Sequence, residues 1–155
     1  VLDSSAFYAG IPFSSNEPSY ITSLIYNEIE HIKKDHDAVR ILIETKRLTV
    51  CDPEHRFVII ANDAAKKSGD FPNLSDEDIS SIALSLQLKA ELVTDDFAIS
   101  NVAKNLNIDV TPVMTNGIKN VVIWEYYCPG CKTNFSNVAE CPRCGNRLKR
   151  KPMKD

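Results

Sequence analysis

Two kinds of residue in this chain are spaced for chemistry: paired cysteines in its last quarter and aspartates placed at the ends of apolar runs. The cysteines form Cys128-Pro129-Gly130-Cys131 and Cys141-Pro142-Arg143-Cys144, with nine residues between the pairs. Each C-x-x-C turns tightly enough to aim two thiolates at one ion, and two such knuckles complete a tetrahedron of the kind zinc prefers. Four thiolates leave no open position, so the ion expected here is structural rather than catalytic. Disulfides would need an oxidising compartment, and a thioredoxin-like redox pair would need one C-x-x-C rather than two matched ones. Cys51 stands far from both knuckles and reads as a buried apolar residue.

The acidic candidates are Asp3, after Val1-Leu2, and Asp95 and Asp96, directly after Leu92-Val93-Thr94. In an open parallel sheet, ligands bind beyond the carboxyl ends of the strands, so both spots are expected on one edge. Asp78, in the first turn of a helix, and Glu28, within a long early helix, are plausible additions. Carboxylates gathered this closely repel by about 3 kcal/mol per pair at roughly 5 Å and an effective dielectric near 20. A divalent cation relieves that repulsion, and oxygen-only ligands select magnesium or manganese over zinc. Plainer readings stand beside this one: Ser75-x-x-Asp78 has the form of a capping box, Asp95 or Asp96 could be an N-cap, and Glu28 a solvated helix residue.

The elements that must position these residues alternate. Val1–Asp3 is the stub of a strand. Ser19 to Lys34, with Ile21, Leu24, Ile25, Ile29 and Ile32, has helical spacing, and Asp37 to Lys46 continues as a second helix. Leu48–Val50 is a short strand closed by Asp52-Pro53, and Pro53 can open a helix that runs to Lys67 and stops at Ser68-Gly69. A helix begins at 74–78 with the stripe Ile79, Ile82, Ala83 and Leu86. Leu92–Thr94 is a strand, Phe97 to Asn105 a helix and Ile108–Val110 a last strand. Strands separated by helices predict an α/β domain over 1–110 with a parallel sheet. A linker follows at 111–118, punctuated by Pro112 and Asn116-Gly117. Residues 119–150 form a small zinc ribbon opening on the strand Val121–Trp124, and a basic tail occupies 151–155.

The chain has 155 residues, 43% of them hydrophobic and 25% charged, which excludes disordered and collagen-like sequence. No apolar run approaches the roughly 18 residues of a membrane helix, and none resembles a signal peptide; a cytoplasmic protein without a membrane partner is expected. The net charge of −3 hides an asymmetry: residues 1–117 carry 10 basic and 18 acidic side chains, whereas 118–155 carry 8 and 3. Arg143, Arg147, Lys149, Arg150, Lys151 and Lys154 form a basic cluster of the kind that contacts phosphates. Tyr126, Tyr127 or Phe135 could stack on unpaired bases or pack the ribbon core. His31, His36 and His55 read as surface residues. No glycine-rich phosphate loop, dinucleotide fingerprint or G-x-S-x-G elbow occurs, so no organic cofactor is expected.

Val1-Leu2-Asp3-Ser4-Ser5-Ala6-Phe7 resembles the opening of PIN-domain ribonucleases. Leu74–Ile79 with Ala83-Leu84 resembles the helix that brings their third acid, and Val93–Ile99 their final acidic motif. A PIN domain followed by a four-cysteine ribbon and a basic tail is similar to the archaeal Nob-type endonucleases, and the likeness covers nearly the whole chain. The resemblance implies a Rossmann-like α/β/α sandwich in which Asp3, Glu28, Asp78 and Asp96 bind one or two magnesium or manganese ions. It makes Asp95 an accessory acid, and Ser4 and Thr94 polar supports. It further implies an endoribonuclease that leaves 5′-phosphate and 3′-hydroxyl ends and matures the 3′ region of small-subunit ribosomal RNA on the pre-ribosomal small subunit. Two alternatives remain: a VapC-like PIN toxin, whose relatives usually lack a ribbon, and a non-enzymatic RNA-binding assembly factor with vestigial acids.

Overall fold

The computed structural model describes residues 1–32, 36–114, 117, 120–135 and 138–153. Lys34, Asn116, Lys154 and the side chains of His31 and His36 lie outside the described residues; His55 is exposed.

Alternation along two residues at the start of the chain sets the architecture. Val1 packs into one apolar core and Leu2 into another, because successive side chains of an extended segment point to opposite faces. The Val1–Asp3 segment lies between β1 (Ser19–Ile21) and β3 (Leu92–Val93): the Leu2 N–H donates to the Tyr20 carbonyl at 3.0 Å, and the Val93 N–H donates to the Val1 carbonyl at 2.8 Å. β1 pairs in parallel with β2 (Leu48–Val50), and β3 with β4 (Val110–Thr111). The result is one parallel sheet in the order β2, β1, Val1–Asp3, β3, β4. One face packs against residues of α5 (His55–Ser68), α6 (Asp76–Leu88) and α7 (Phe97–Asn105). The other packs against α1 (Ser4–Tyr8), α3 (Ser23–Ile32) and α4 (His36–Glu44), with the short α2 (Ile11–Ser14) following α1. This has the parallel sheet expected from the alternating pattern and is the α/β/α sandwich that the resemblance implies.

Several boundaries differ from the sequence reading. The helix expected over Ser19–Lys34 is a strand and then a helix. Tyr20-Ile21-Thr22 is a β-favouring run, and Thr22 ends it by accepting the Ile25 N–H on its hydroxyl at 3.2 Å. Asp52 adds bonds from the Ser23 N–H at 2.9 Å and hydroxyl at 2.8 Å. Ile21 is buried in either conformation, so apolar spacing alone could not separate the two. Pro53 stands before the N-cap Glu54 rather than at the first helical position. Cys51 is half-buried at the margin of a core.

The strand expected at Val121–Trp124 is displaced to β5 (Trp124–Tyr127), flanked antiparallel by β6 (Asn134–Phe135) and β7 (Lys149–Pro152). β7 continues past the ribbon boundary expected at residue 150, since its pairing reaches Pro152 opposite Trp124. Val122 is held by a side chain instead of a strand: Asn101 accepts the Val122 N–H at 2.7 Å and donates to its carbonyl at 2.6 Å. Tyr126 is buried in the ribbon core with Cys128, Cys141 and Leu148. Its hydroxyl donates to the Gly69 carbonyl at 2.5 Å and accepts from Asn73 at 2.9 Å. Tyr126 therefore serves packing and docking and is unavailable for base stacking.

Gly69 caps α5 in a left-handed conformation, φ +81°, and a Cβ there would overlap the Trp124 carbonyl oxygen. Gly10 has a similar φ, +77°, with open space around it. Gly10→Ala should lose only the backbone term, about 1–2 kcal/mol. Gly69→Ala should lose clearly more in urea unfolding, because it also forces the ribbon off α5; equal losses would count against this docking.

Candidate active site and metal centre

Parallel strands end together, so the acids that follow them meet at one edge. Asp3 ends the first extended segment and caps α1. Its Oδ1 accepts the Ser5 hydroxyl at 2.6 Å and the Ala6 N–H at 3.2 Å, and its Oδ2 accepts the Thr94 hydroxyl. It is 3% exposed, and burial pushes its carboxyl above the usual range against the pull of these donors. Asp96 caps α7, accepting the Ile99 N–H at 3.0 Å, while its own N–H donates to the Thr94 hydroxyl at 3.1 Å. Thr94 therefore ties Asp3 and Asp96 together through one oxygen.

Asp78 does complete the capping box of α6: its Oδ2 accepts the Ser75 N–H at 2.9 Å, and the Ser75 hydroxyl accepts the Asp78 N–H at 3.2 Å. Burial raises its carboxyl, and the charges of Asp96 and Asp3 add to the shift. Glu28 is half-buried on α3, whereas Glu30 is exposed. Burial raises the Glu28 carboxyl, the charges of Glu77, Asp78 and Asp3 raise it further, and a hydrogen bond with the Ser4 side chain opposes them. Asp78 thus lies in the field of Asp3 and Asp96, and Glu28 in that of Asp78 and Asp3. A group of oxygen donors in that situation fits a hard divalent cation. They converge without closing: among the described residues, only the four cysteines bring three or more ligand atoms within 4.8 Å of one another.

Asp95 faces elsewhere. Its carboxylate accepts the Val113 N–H at 2.7 Å and the Met114 N–H at 2.9 Å, which secures the chain leaving β4. Its own N–H donates to the Ser5 hydroxyl at 3.2 Å. Ser5, which the sequence reading passed over, therefore joins the two acidic loops; its place two residues after a capping aspartate was the available signal.

The ribbon holds the second centre. Neighbouring Sγ atoms of Cys128, Cys131, Cys141 and Cys144 stand 3.4 to 3.8 Å apart. A tetrahedron with metal–sulfur bonds of about 2.3 Å has edges near 3.8 Å, so the cluster fits such an ion. The Cys131 N–H donates to the Cys128 sulfur at 3.3 Å and, first among several donors, pulls that thiol well below its usual range. Arg143 and Arg147 are exposed beside the second knuckle. Along β7, Lys149 and Lys151 alternate with Arg150, so the basic run divides between two faces. Lys151 lies over the Tyr127 ring at 5.4 Å and 3.7 Å from Glu125, while the Arg150 guanidinium stacks on Trp124 at 4.2 Å. Phe135 packs against the ribbon core. No helix among the described residues is long and apolar enough to cross a membrane.

Comparison with known proteins agrees with this arrangement. Residues 1–88 match the family described as the PIN domain of ribonuclease. Endoribonuclease Nob1 of Pyrococcus abyssi is 31% identical, the alignment covering 99% of this chain and 94% of that protein. Endoribonuclease Nob1 of Methanocaldococcus jannaschii is 37% identical over 99% of this chain and 78% of its own. Ribonuclease VapC1 of Thermoplasma acidophilum is also 37% identical, but over 79% of this chain and 63% of its own. These two Nob1 proteins match nuclease domain and ribbon together, and on that extent the chain belongs to the PIN-domain ribonucleases of the Nob1 endoribonuclease type.

Proposed function

We propose that this endoribonuclease cuts single-stranded RNA during 3′-end maturation of small-subunit ribosomal RNA, acting on the pre-ribosomal small subunit in the cytoplasm. The observation that carries the reading is the gathering of Asp3, Glu28, Asp78 and Asp96 at the carboxyl edge of a parallel sheet, beside a basic ribbon. In this reading residues 1–110 are the nuclease unit and 111–118 its link to a ribbon that continues through β7. The four acids hold one or two magnesium or manganese ions, and the four cysteines hold a structural zinc. When bound, the divalent ions supply an activated water and stabilise the departing oxygen, leaving 5′-phosphate and 3′-hydroxyl ends.

The chain's own residues do the positioning. Asp3 is fixed by the donors from Ser5, Ala6 and Thr94, so it offers a carboxylate that cannot swing away. Thr94 sets Asp96 relative to Asp3. An acidic site repels RNA, and exposed cations of the ribbon (Arg143, Arg147, Lys149, Lys151) supply the phosphate contacts that offset it. The VapC1 likeness keeps a toxin-like reading in play; cutting at one position in a ribosomal 3′-end fragment favours maturation, and cutting of transfer RNA favours the toxin.

Asp3→Asn should lower manganese-dependent cleavage by more than about 100-fold, beyond the 10- to 100-fold typical of residues that only support a metal ligand. RNA binding, followed by a mobility shift, should persist; retained cleavage would remove Asp3 from the site. Replacing Lys149 and Lys151 together by Ala should reduce the slope of log affinity against log salt by about 1.4, since each lost single-strand phosphate contact contributes about 0.7. An unchanged slope would take β7 out of the RNA interface. Metal analysis should find one zinc per chain, and Cys131→Ser should release it. Because binding energy on the order of 10 kcal/mol doubles as folding energy in such modules, the ribbon should then become protease-sensitive while 1–110 resists. A ribbon that stays protected without metal would show that its packing suffices.

A further inference from the structure

The bonds that gather the acids run as a chain from one helical layer of the sandwich to the other. On one side of the sheet Asp96 caps α7, and its N–H donates to the Thr94 hydroxyl, which donates in turn to Asp3. Asp3 caps α1 on the other side, and the next residue, Ser4, hydrogen-bonds through its side chain to the Glu28 carboxylate of α3. An aromatic ring stands at each end of this chain. Phe97 directly follows Asp96 and is 57% exposed. Tyr8 lies four residues after Ser4 on α1, hence on the same face of the helix, and is 53% exposed. Partial burial and then the Glu28 charge raise its phenol above the usual range, as befits a ring beside that carboxylate.

These two positions stand out from the rest of the surface. Among the described residues only three Phe, Tyr or Trp side chains are exposed, and the third, Phe13 on α2, is the least so at 39%. A single exposed apolar side chain needs no explanation. Two rings at the two ends of one acidic cluster, supplied by opposite layers of the sandwich, call for a partner with flat apolar faces and a phosphate between them.

We propose that Tyr8 and Phe97 form a two-ring clamp across the acidic edge, each stacking one unpaired base of the RNA, one on either side of the scissile phosphate. The proposal rests on the endoribonuclease reading and names what holds the strand at the cut. Every base has a π face, so stacking positions a strand whatever its sequence. Bases inside a duplex are already stacked on both faces, so the clamp takes single strands and turns duplex away. The ribbon cations add affinity anywhere along the strand, whereas the two rings fix its register over the acids.

Manganese-dependent cutting of a single-stranded oligoribonucleotide by the full chain tests this, with a series of substrates in which one base at a time near the cut is replaced by an abasic ribose. Tyr8→Ala and Phe97→Ala, both at exposed positions, should each lower kcat/KM at least about fivefold, the lower end of what one base–aromatic stack is worth. Tyr8→Phe should cut as the unsubstituted chain does, because the ring and not the hydroxyl makes the stack. Each alanine deficit should vanish on the substrate that lacks the base its ring would hold, and the two abasic positions so identified should lie on opposite sides of the cut. Alanine variants that cut normally, a Tyr8→Phe chain as impaired as Tyr8→Ala, or deficits that persist on every abasic substrate would overturn the clamp while leaving the nuclease reading in place. Absence of cutting by the unsubstituted chain would sink that reading, and the clamp with it.

Discussion

A buried carboxylate at the end of a three-residue extended segment is the constraint on which this molecule turns. Burial favours the neutral form of Asp3, and α1, Ser5 and Thr94 oppose that by aiming donors at both of its oxygens. Those donors come from two elements far apart in sequence, and only the pairing of Val1–Asp3 between β1 and β3 brings them together. Parallel pairing also means that α1, α6 and α7 present their N-termini at the same edge, with Asp3 and Asp96 as caps and Asp78 in a capping box. A helix N-terminus favours a neighbouring carboxylate by about 0.3–1 kcal/mol. Mutual repulsion, about 3 kcal/mol for two carboxylates roughly 5 Å apart at an effective dielectric near 20, is larger. The fold lowers the penalty of gathering the acids without removing it, and the remainder is what a divalent cation there would neutralise.

The opposite charges of the two halves do not draw them together across the whole of their surfaces. Their contact is made by particular neutral groups, the Asn101 amide on Val122 and the Tyr126 hydroxyl on Gly69, with Arg150 acting on Asp70 beside them. Screening limits exposed charges to about 8–10 Å at ordinary ionic strength. Lys149 and Lys151, on the side of β7 away from this junction, therefore act on whatever lies immediately outside the ribbon.

Much of this arrangement was legible in the sequence, and the failures share a cause. The two C-x-x-C pairs carry their own geometry, so the thiolate cluster could be read without tertiary information. Helices α6 and α7 were legible because capping residues and apolar stripes agree. Ser19–Ile21 was misread because a strand buried on its inner face and the first turn of an amphipathic helix place isoleucine alike. The roles of Asp95, Ser5, Asp70 and Asn101 were illegible for a different reason. Each acts on a group distant in sequence, such as the bond from the Val113 N–H to Asp95, and spacing along the chain holds no record of such partners. Asn101 did leave a trace, a polar residue between Ile99 and Val102 on the buried side of α7.

The same long-range contacts carry the thiolate cluster's influence to the surface beside the acids, but not to the acids themselves. Trp124 and Arg150 belong to a ribbon too small to stand on an apolar core of Tyr126, Cys128, Cys141 and Leu148. Their placement over Asp70 requires β5 and β7 to be paired, and that pairing is anchored by both knuckles at its Tyr127–Lys149 end. An ion held by the four thiolates would therefore shape the surface presented beside Asp96. Loss of that ion would leave Asp3, Thr94 and Asp96 bonded as before, since none of them touches the ribbon through these bonds, while loosening Trp124 and Arg150. The acids are thus fixed by the sheet, while Trp124 and Arg150 beside them are fixed by the ribbon.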